Sequence, residues 1–341
     1  MIGLIGRIVR HFNLDLTGAV VLTEAANNAF ACTCLAAALA GAEVFAVARD
    51  TGYGKAVDII DTIDAMARQL GVRTQMRFIE AVENMDLSRV DIATNLGPVR
   101  PLQAGIIQAM RPGATLALMC EAWEVRPADV DLSAAHNKGL AVFGTNEDHA
   151  EVDVFSYVGL VAVKMILSLG REIAGNTILV VGTDKFAARS AYILDRLGAV
   201  VIMADNVSWP SRLSPEIDVA VFADYTFAGT YIGIDGRLRP EDFARHCPQA
   251  CVAVLCGRVD GHGLVAQGIP CLPDTMTTSL RMITFDYLGE LPVVKLHTAG
   301  LKVAEYSWRT WDPDRTRDKN EKAVISASAG MADPVDWNNY A

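Results

Sequence analysis

The chain has 341 residues, 51% of them apolar and 21% charged, with a formal net charge of −10 and a pI near 5.1. That length suits two domains with separate cores. The acidic balance argues against a nucleic-acid partner or a polybasic membrane contact, leaving a small molecule as the expected partner.

The opening MIGLIGRIVRHF has no basic segment leading into a long apolar core, so a signal peptide is not expected. Short β-branched runs then alternate with helical stretches, the pattern of parallel sheets covered by helices. It predicts strands at 19–22, 44–47, 76–79, 91–94 and 115–119, and helices at 28–40, 56–70 and 102–110. A helix and a strand follow between 127 and 142. After the polar segment GTNEDHAEVD comes a helix at 154–170 that is apolar nearly all round. Such a helix is buried on several sides, as an interdomain strut or a dimer interface. It carries Lys164 and falls short of the roughly 18 uninterrupted apolar residues of a membrane span. The alternation then restarts, with strands at 177–181, 200–203, 218–222, 251–255 and 293–296 and a helix ending near 197. Beyond Trp308 the chain is charged and aperiodic and reads as a surface extension.

The expected fold is therefore α/β, with two Rossmann-like domains built on parallel sheets. Residues 1–150, rejoined by 298–341, form the substrate domain, and 151–297 form an inserted cofactor domain. The seven cysteines show no paired zinc-type spacing, so no metal site is expected. They read as reduced, mostly buried thiols of a cytoplasmic protein.

The stretch VVGTDKFAARSAYILDRLGAVVIMAD has the order strand, tight turn, helix, strand and terminal acid required to hold NAD. Gly182 takes the first glycine position and Ala187 the third. The N-terminus of the following helix would face the pyrophosphate through Thr183, Lys185 and Phe186. Asp205 ends the next strand, where a carboxylate binds the ribose hydroxyls and disfavours a 2′-phosphate. Asp184 stands where the second glycine is usual. Lys185 could offset its charge, or Asp184 could cap the helix instead.

Several further stretches are similar, in order, to the D-2-hydroxyacid dehydrogenase family. AAHNKGLAVFGTNEDHAEVDVFSYVGLVAVKMILSLGREIAGNTILVVG resembles that family's crossing from substrate to cofactor domain. IDVAVFADYT, with Ala223, resembles the strand along the cofactor. CVAVLCGRVDG, with Gly257 and Arg258, resembles the strand of the catalytic arginine, and LPVVKLHTAG that of the catalytic histidine. The resemblance implies that Arg258 holds a substrate carboxylate and that His297 is the general acid/base beside the nicotinamide. Asp274 would match either the acid that tunes His297 or the family's nicotinamide-binding aspartate. A homodimeric NAD-dependent oxidoreductase is implied, exchanging hydride with a small hydroxy/oxo or amino/imino substrate between the domains. Alternatives are an enzyme that uses tightly bound NAD for a redox-neutral elimination or hydrolysis, similar to adenosylhomocysteine hydrolases, and a non-catalytic, degenerate homologue.

The family's glycine-rich carboxylate loop is matched here by EAWEVRP, with Glu121, Trp123 and Glu124, and its carboxylates would repel a 2-oxo acid and better suit an amine, a polyol or a cation. Asn95 and Arg100, in TNLGPVRPL, follow a strand and so face the same edge of the first sheet, where they either touch substrate or belong to a turn that the Gly-Pro pair shapes. His149, among the acids of TNEDHAEVD, is a second candidate acid/base or a metal ligand, or else part of a solvated helix start. Lys302 and Glu305 read as one face of a C-terminal helix returning to the first domain.

Overall fold

In the computed structural model residues 1–339 are described, and the chain divides into two compact units, 1–154 with 289–341 and 155–288. The first unit opens with an amphipathic helix, α1 (Ile2–His11), that buries Ile5, Ile8 and Val9. Alternation then proceeds through β1 (Val20–Glu24), α2 (Cys32–Leu39), β2 (Glu43–Val47), α3 (Ala56–Leu70), β3 (Met76–Ile79) and β4 (Ile92–Thr94). It continues with α4 (Ala104–Ala109), β5 (Thr115–Ala117), α5 (Leu132–Lys138) and β6 (Ala141–Thr145). Helix α3 shows the local logic: Ile59, Ile63 and Ala67, four apart, form its buried stripe. Gly71, at φ +73°, closes it in the left-handed conformation that favours glycine.

The second unit contains α6 (Ser156–Ser168), β7 (Thr177–Val181), α7 (Lys185–Arg196), β8 (Val200–Ala204), β9 (Val219–Ala223) and β10 (Thr230–Ile232). Then come α8 (Pro240–His246), β11 (Cys251–Cys256), β12 (Arg258–Val259), α9 (Gly261–Ala266) and β13 (Cys271–Leu272). The chain returns to the first unit through α10 (Glu290–Thr310), α11 (Arg317–Ala327) and β14 (Ala332–Pro334).

Two expectations are corrected. The segment expected as a strand at 293–296 is helix. Pro292 sits in the first turn of α10, where its missing N–H costs nothing, and the β-branched pair Val293–Val294 is only the start of a 21-residue element. The segment beyond Trp308 is no surface extension. There β14 pairs antiparallel with β6, Ala332 opposite Thr145 and Pro334 opposite Phe143, and Arg317 of α11 lies 4.3 Å from the Trp337 ring centre. The long apolar helix, α6, packs inside the second unit on α7. A side chain on Gly159 would come within 2.8 Å of the Arg189 carbonyl oxygen, so glycine sets the close helix–helix approach.

The first sheet runs β14-β6-β5-β4-β1-β2-β3, parallel apart from β14. The second runs β13-β11-β9-β7-β8, all parallel, beside a two-stranded β10-β12 pair. The central strands β6, β9 and β11 are buried along their whole length, as strands covered on both faces must be. Strand order reverses between β1 and β4 in the first unit and between β7 and β9 in the second. At such switch points neighbouring connections leave to opposite faces, and a crevice opens at the carboxyl ends of the strands.

Helix α10 is held within the first unit by a buried ion pair, Lys302 Nζ to Glu305 Oε2 at 2.8 Å, with both side chains less than a tenth exposed. Glu305 also accepts from the Asp15 N–H, and Lys302 donates to the Asn13 carbonyl, so neither charge is left with one partner.

Candidate functional site

At the second unit's switch point, β7 ends and Gly182 turns the chain at φ +142°. A Cβ at this position would lie 2.7 Å from the Ala223 carbonyl oxygen and 2.9 Å from the Ala187 Cβ, so only glycine lets β7, β9 and α7 approach this closely. The next residues are not arranged for a phosphate. Asp184 Oδ1 accepts from the N–H groups of Phe186 (2.9 Å) and Ala187 (3.2 Å), capping α7. Its Oδ2 accepts from the Tyr225 N–H at 2.6 Å, just past the end of β9. One carboxylate therefore bridges the two strands that flank the crevice. Burial pushes this carboxyl above the ordinary range, and the neighbouring Asp224 adds to that, while the three N–H donors oppose it.

The surroundings are packed with side chains. Phe186 stacks on Tyr225, with ring centres 5.1 Å apart and planes 15° from parallel, and meets Phe155 edge-on at 5.2 Å. Lys185 Nζ stands 3.6 Å from the Phe155 ring centre. Asp224, fully buried, accepts from Tyr231 Oη (2.6 Å) and from the N–H groups of Thr226 and Phe227.

Thr183 is exposed, and Ala223 forms the buried end of β9. Asp205, exposed past the end of β8, accepts from the N–H groups of Val207 (2.8 Å) and Ser208 (2.6 Å), bonds that hold its carboxyl below the ordinary range. Gly257, at φ +106°, lies against the Tyr231 ring. Arg258, in β12, and Asp274 are both exposed, and neither side chain has a hydrogen bond or ion pair among the described residues.

A pyrophosphate at this turn needs the free N–H groups that open α7 and a neutral floor. Here those N–H groups donate to Asp184, whose charge has the same sign as the phosphates. The residues present do not fit the dinucleotide in the manner of the fold.

His297 belongs to the first unit, in the interior of α10 rather than at a strand end. It is buried, its Nδ1 lies 2.6 Å from Thr33 Oγ1, and burial lowers its imidazole to about 4. The remaining expected residues gather at the carboxyl edge of the first sheet. Asn95, buried just beyond β4, accepts from the Met119 N–H at 3.0 Å through Oδ1. Glu121, buried beyond β5, accepts from Trp123 Nε1 at 2.5 Å, while the Trp123 ring is half exposed. His149, beyond β6, accepts from the Glu151 N–H at 3.3 Å.

Sequence reasoning missed Glu24, the last residue of β1 and thus one wall of the first unit's switch point. It is 6% exposed, and its carboxyl takes no hydrogen bond from any described residue. Burial raises it to about 7, with Arg100 pulling the other way. Its carboxyl presses on the backbone of Gly97, where φ is +36° and a Cβ would overlap Oε2. Below it, Thr23 and Thr94 join β1 and β4 through their hydroxyls at 2.8 Å. A sequence signal existed: in VVLTEAANN an acid closes an apolar strand ahead of a helix, one residue before the position that Gly182 takes in the second unit.

Among the described residues no helix is long and apolar enough to cross a membrane, and no group of three or more His, Cys, Asp and Glu is placed to hold a metal.

No family model matches the sequence, and no curated protein is significantly similar to it. Solved structures are similar in fold. A dipicolinate synthase subunit from Bacillus halodurans is 10% identical with a TM-score of 0.52, over 92% of this chain and 99% of that one. A dipicolinate synthase chain from Bacillus subtilis is 12% identical with a TM-score of 0.54, over 87% and 99%. A D-isomer specific 2-hydroxyacid dehydrogenase from Lactobacillus delbrueckii ssp. bulgaricus is 13% identical with a TM-score of 0.37, over 73% and 75%. The fold is two Rossmann-like units in one chain, as in the two dipicolinate synthase structures.

Proposed function

We propose that this protein is a divergent homologue of the dehydrogenase fold whose second unit has given up dinucleotide binding, and that it works by binding a small polar molecule without hydride transfer. One observation carries the reading: the Asp184 carboxylate takes the two N–H groups that open α7 and the N–H that follows β9. An incoming pyrophosphate must break three charge-assisted bonds and then lie beside the displaced anion. The engagement of Asp205 with its own turn and the burial of His297 inside a helix agree with this reading.

The test is a thermal-shift titration of the full chain with NAD, NADH, NADP and NADPH. No shift is expected. A ligand at 100 times its Kd would stabilise by about 2.7 kcal/mol and raise Tm by about 2–4 °C. Asp184→Gly, once its melt is shown to be cooperative, is expected to gain a shift with NAD or NADH. A saturable shift in the unaltered protein, or NAD released on denaturation and seen by mass spectrometry, would overturn the proposal.

A second reading keeps the cofactor, and the strictly glycine-shaped turn at Gly182 favours it. In that reading NAD displaces Asp184, hydride passes to or from a hydroxy/oxo or amino/imino substrate, and Arg258, Asp274 and His297 take the roles the family resemblance implies. His297→Asn then abolishes turnover. Under the first reading the same change alters stability alone.

A further inference from the structure

We propose that the carboxyl edge of the first unit's sheet, where β1 and β4 part, is a binding site for a protonated amine, with the Glu24 carboxylate as its counter-ion. The inference is independent of whether the second unit holds a dinucleotide.

Doubly wound sheets bind ligands outside the carboxyl ends of the strands at the switch point, and Glu24 is the residue that ends β1 there. It is more than nine-tenths buried yet accepts no hydrogen bond from a described residue. A buried acceptor without a donor is costly, and native proteins pair such groups almost without exception. The carboxyl is not sealed either. Among the described residues the side-chain polar atoms both sealed from solvent and unpaired are Ser190 Oγ and Trp209 Nε1. A donor arriving from solvent can therefore reach Glu24. On the β4 side the backbone of Gly97 lies against the carboxyl, where a side chain would overlap Oε2.

The sign of the ligand follows from the neighbours. The next strand ends on this edge lead to Glu121 and Glu147, both 6% exposed. The cation nearest in effect is Arg100, and it is committed to Asp129 at 3.3 Å. From α2, Cys32 and Cys34 feel the charge of Glu24, and burial holds both thiols well above neutrality, so neither supplies a countercharge. An anion would meet carboxylates, and a neutral ligand would leave the Glu24 charge uncompensated. An ammonium supplies N–H donors and the missing charge together.

The probe is n-butylammonium, with 1-butanol and butyrate as controls, titrated calorimetrically into the full chain. Binding of the ammonium alone is expected. Glu24→Gln keeps the shape and removes the charge, and is expected to weaken binding by about 10–100-fold while melting cooperatively. If that variant does not fold, the unaltered protein still decides the matter. Glu24 is pushed up to about 7, so pairing it with a cation releases a proton near pH 6.5 but not near pH 8.5. The measured heat then depends on the buffer's ionisation enthalpy only at the lower pH. Equal binding of butanol and butylammonium, full binding by a folded Glu24→Gln protein, no binding up to about 10 mM, or heats independent of buffer at both pH values would each overturn the proposal.

Discussion

Each unit has an acid at its switch point, one ending a strand and the other capping the helix beyond, and the two are treated in opposite ways. Asp184 is one residue outside α7 and is satisfied by two backbone N–H groups of α7 and one that follows β9. Glu24 is the last residue of β1 and receives no hydrogen bond from the described protein. A carboxylate that caps its own helix closes an anion seat, whereas one buried without a donor creates a demand for a cation. Similar folds therefore do not make their switch points chemically alike.

The sharpest way to break this contrast is Glu24→Gln followed against pH. Below about pH 4.5 the carboxyl is protonated in both folded and unfolded chains and costs nothing. Between there and about 7 the unfolded chain ionises first, so stability falls as pH rises, by about 3 kcal/mol in all. The glutamine variant should match the unaltered protein near pH 4 and exceed it by up to about 3 kcal/mol near pH 8. His297 runs the other way. Burial lowers it to about 4, so the unfolded chain protonates first as pH falls from 6.5, and stability drops by a similar amount, about 3 kcal/mol. The two slopes oppose one another between about pH 4.5 and 6.5, giving the unaltered protein a nearly flat profile. Glu24→Gln should expose the acid loss due to His297, and urea titrations at four or five pH values would measure it. A variant less stable than the parent near pH 8 would mean that Glu24 has a hidden donor, and the contrast would collapse.

Asp184→Ala should act with the opposite sign and a smaller size. It removes a cap and strands the N–H groups of Phe186, Ala187 and Tyr225, an expected loss of about 2 kcal/mol in chemical denaturation. The same change should make α7's opening receptive to anions, so added sulfate should recover part of the lost stability. Loss without sulfate recovery would mean that Phe186, Tyr225 and Phe155 fill the crevice on their own.

How much of this was legible in the sequence depends on the range of the interaction involved. Alternating β-branched runs and four-residue apolar spacing are local, and they place most of the parallel strands and helices, α3 and β7 among them, within a residue or two. Helix α10 was hidden because Val293 and Val294 favour a strand, and what speaks against one is Pro292 before them and the buried stripe after them. The pairing of β14 with β6 joins residues far apart in the chain, and no local pattern marks it. The capping role of Asp184 could be named as one option from its place before a helix. That its second oxygen reaches Tyr225 could not, because that bond needs β7 and β9 side by side. Glu24 escaped for a related reason. An acid at a strand end is ordinarily solvated, and it becomes buried here because the Gly97 turn, entering after β4, folds over it.

The smallest expected effect sharpens the contrast from beneath. Thr23 and Thr94 tie β1 to β4 under Glu24 by a single hydroxyl–hydroxyl bond of 2.8 Å, both side chains fully buried. Thr94→Val removes one partner and leaves the Thr23 hydroxyl unpaired, which should cost about 1 kcal/mol. Replacing both threonines with valine removes donor and acceptor together at constant shape and should bring the cost back close to zero. A double-mutant cycle by urea denaturation separates the two cases. If the pair is only a strut, butylammonium binding should be the same in the doubly substituted protein as in the parent. If that binding is lost while stability is kept, the hydroxyls take part in holding the ligand, and the first unit's site extends below Glu24 into the sheet.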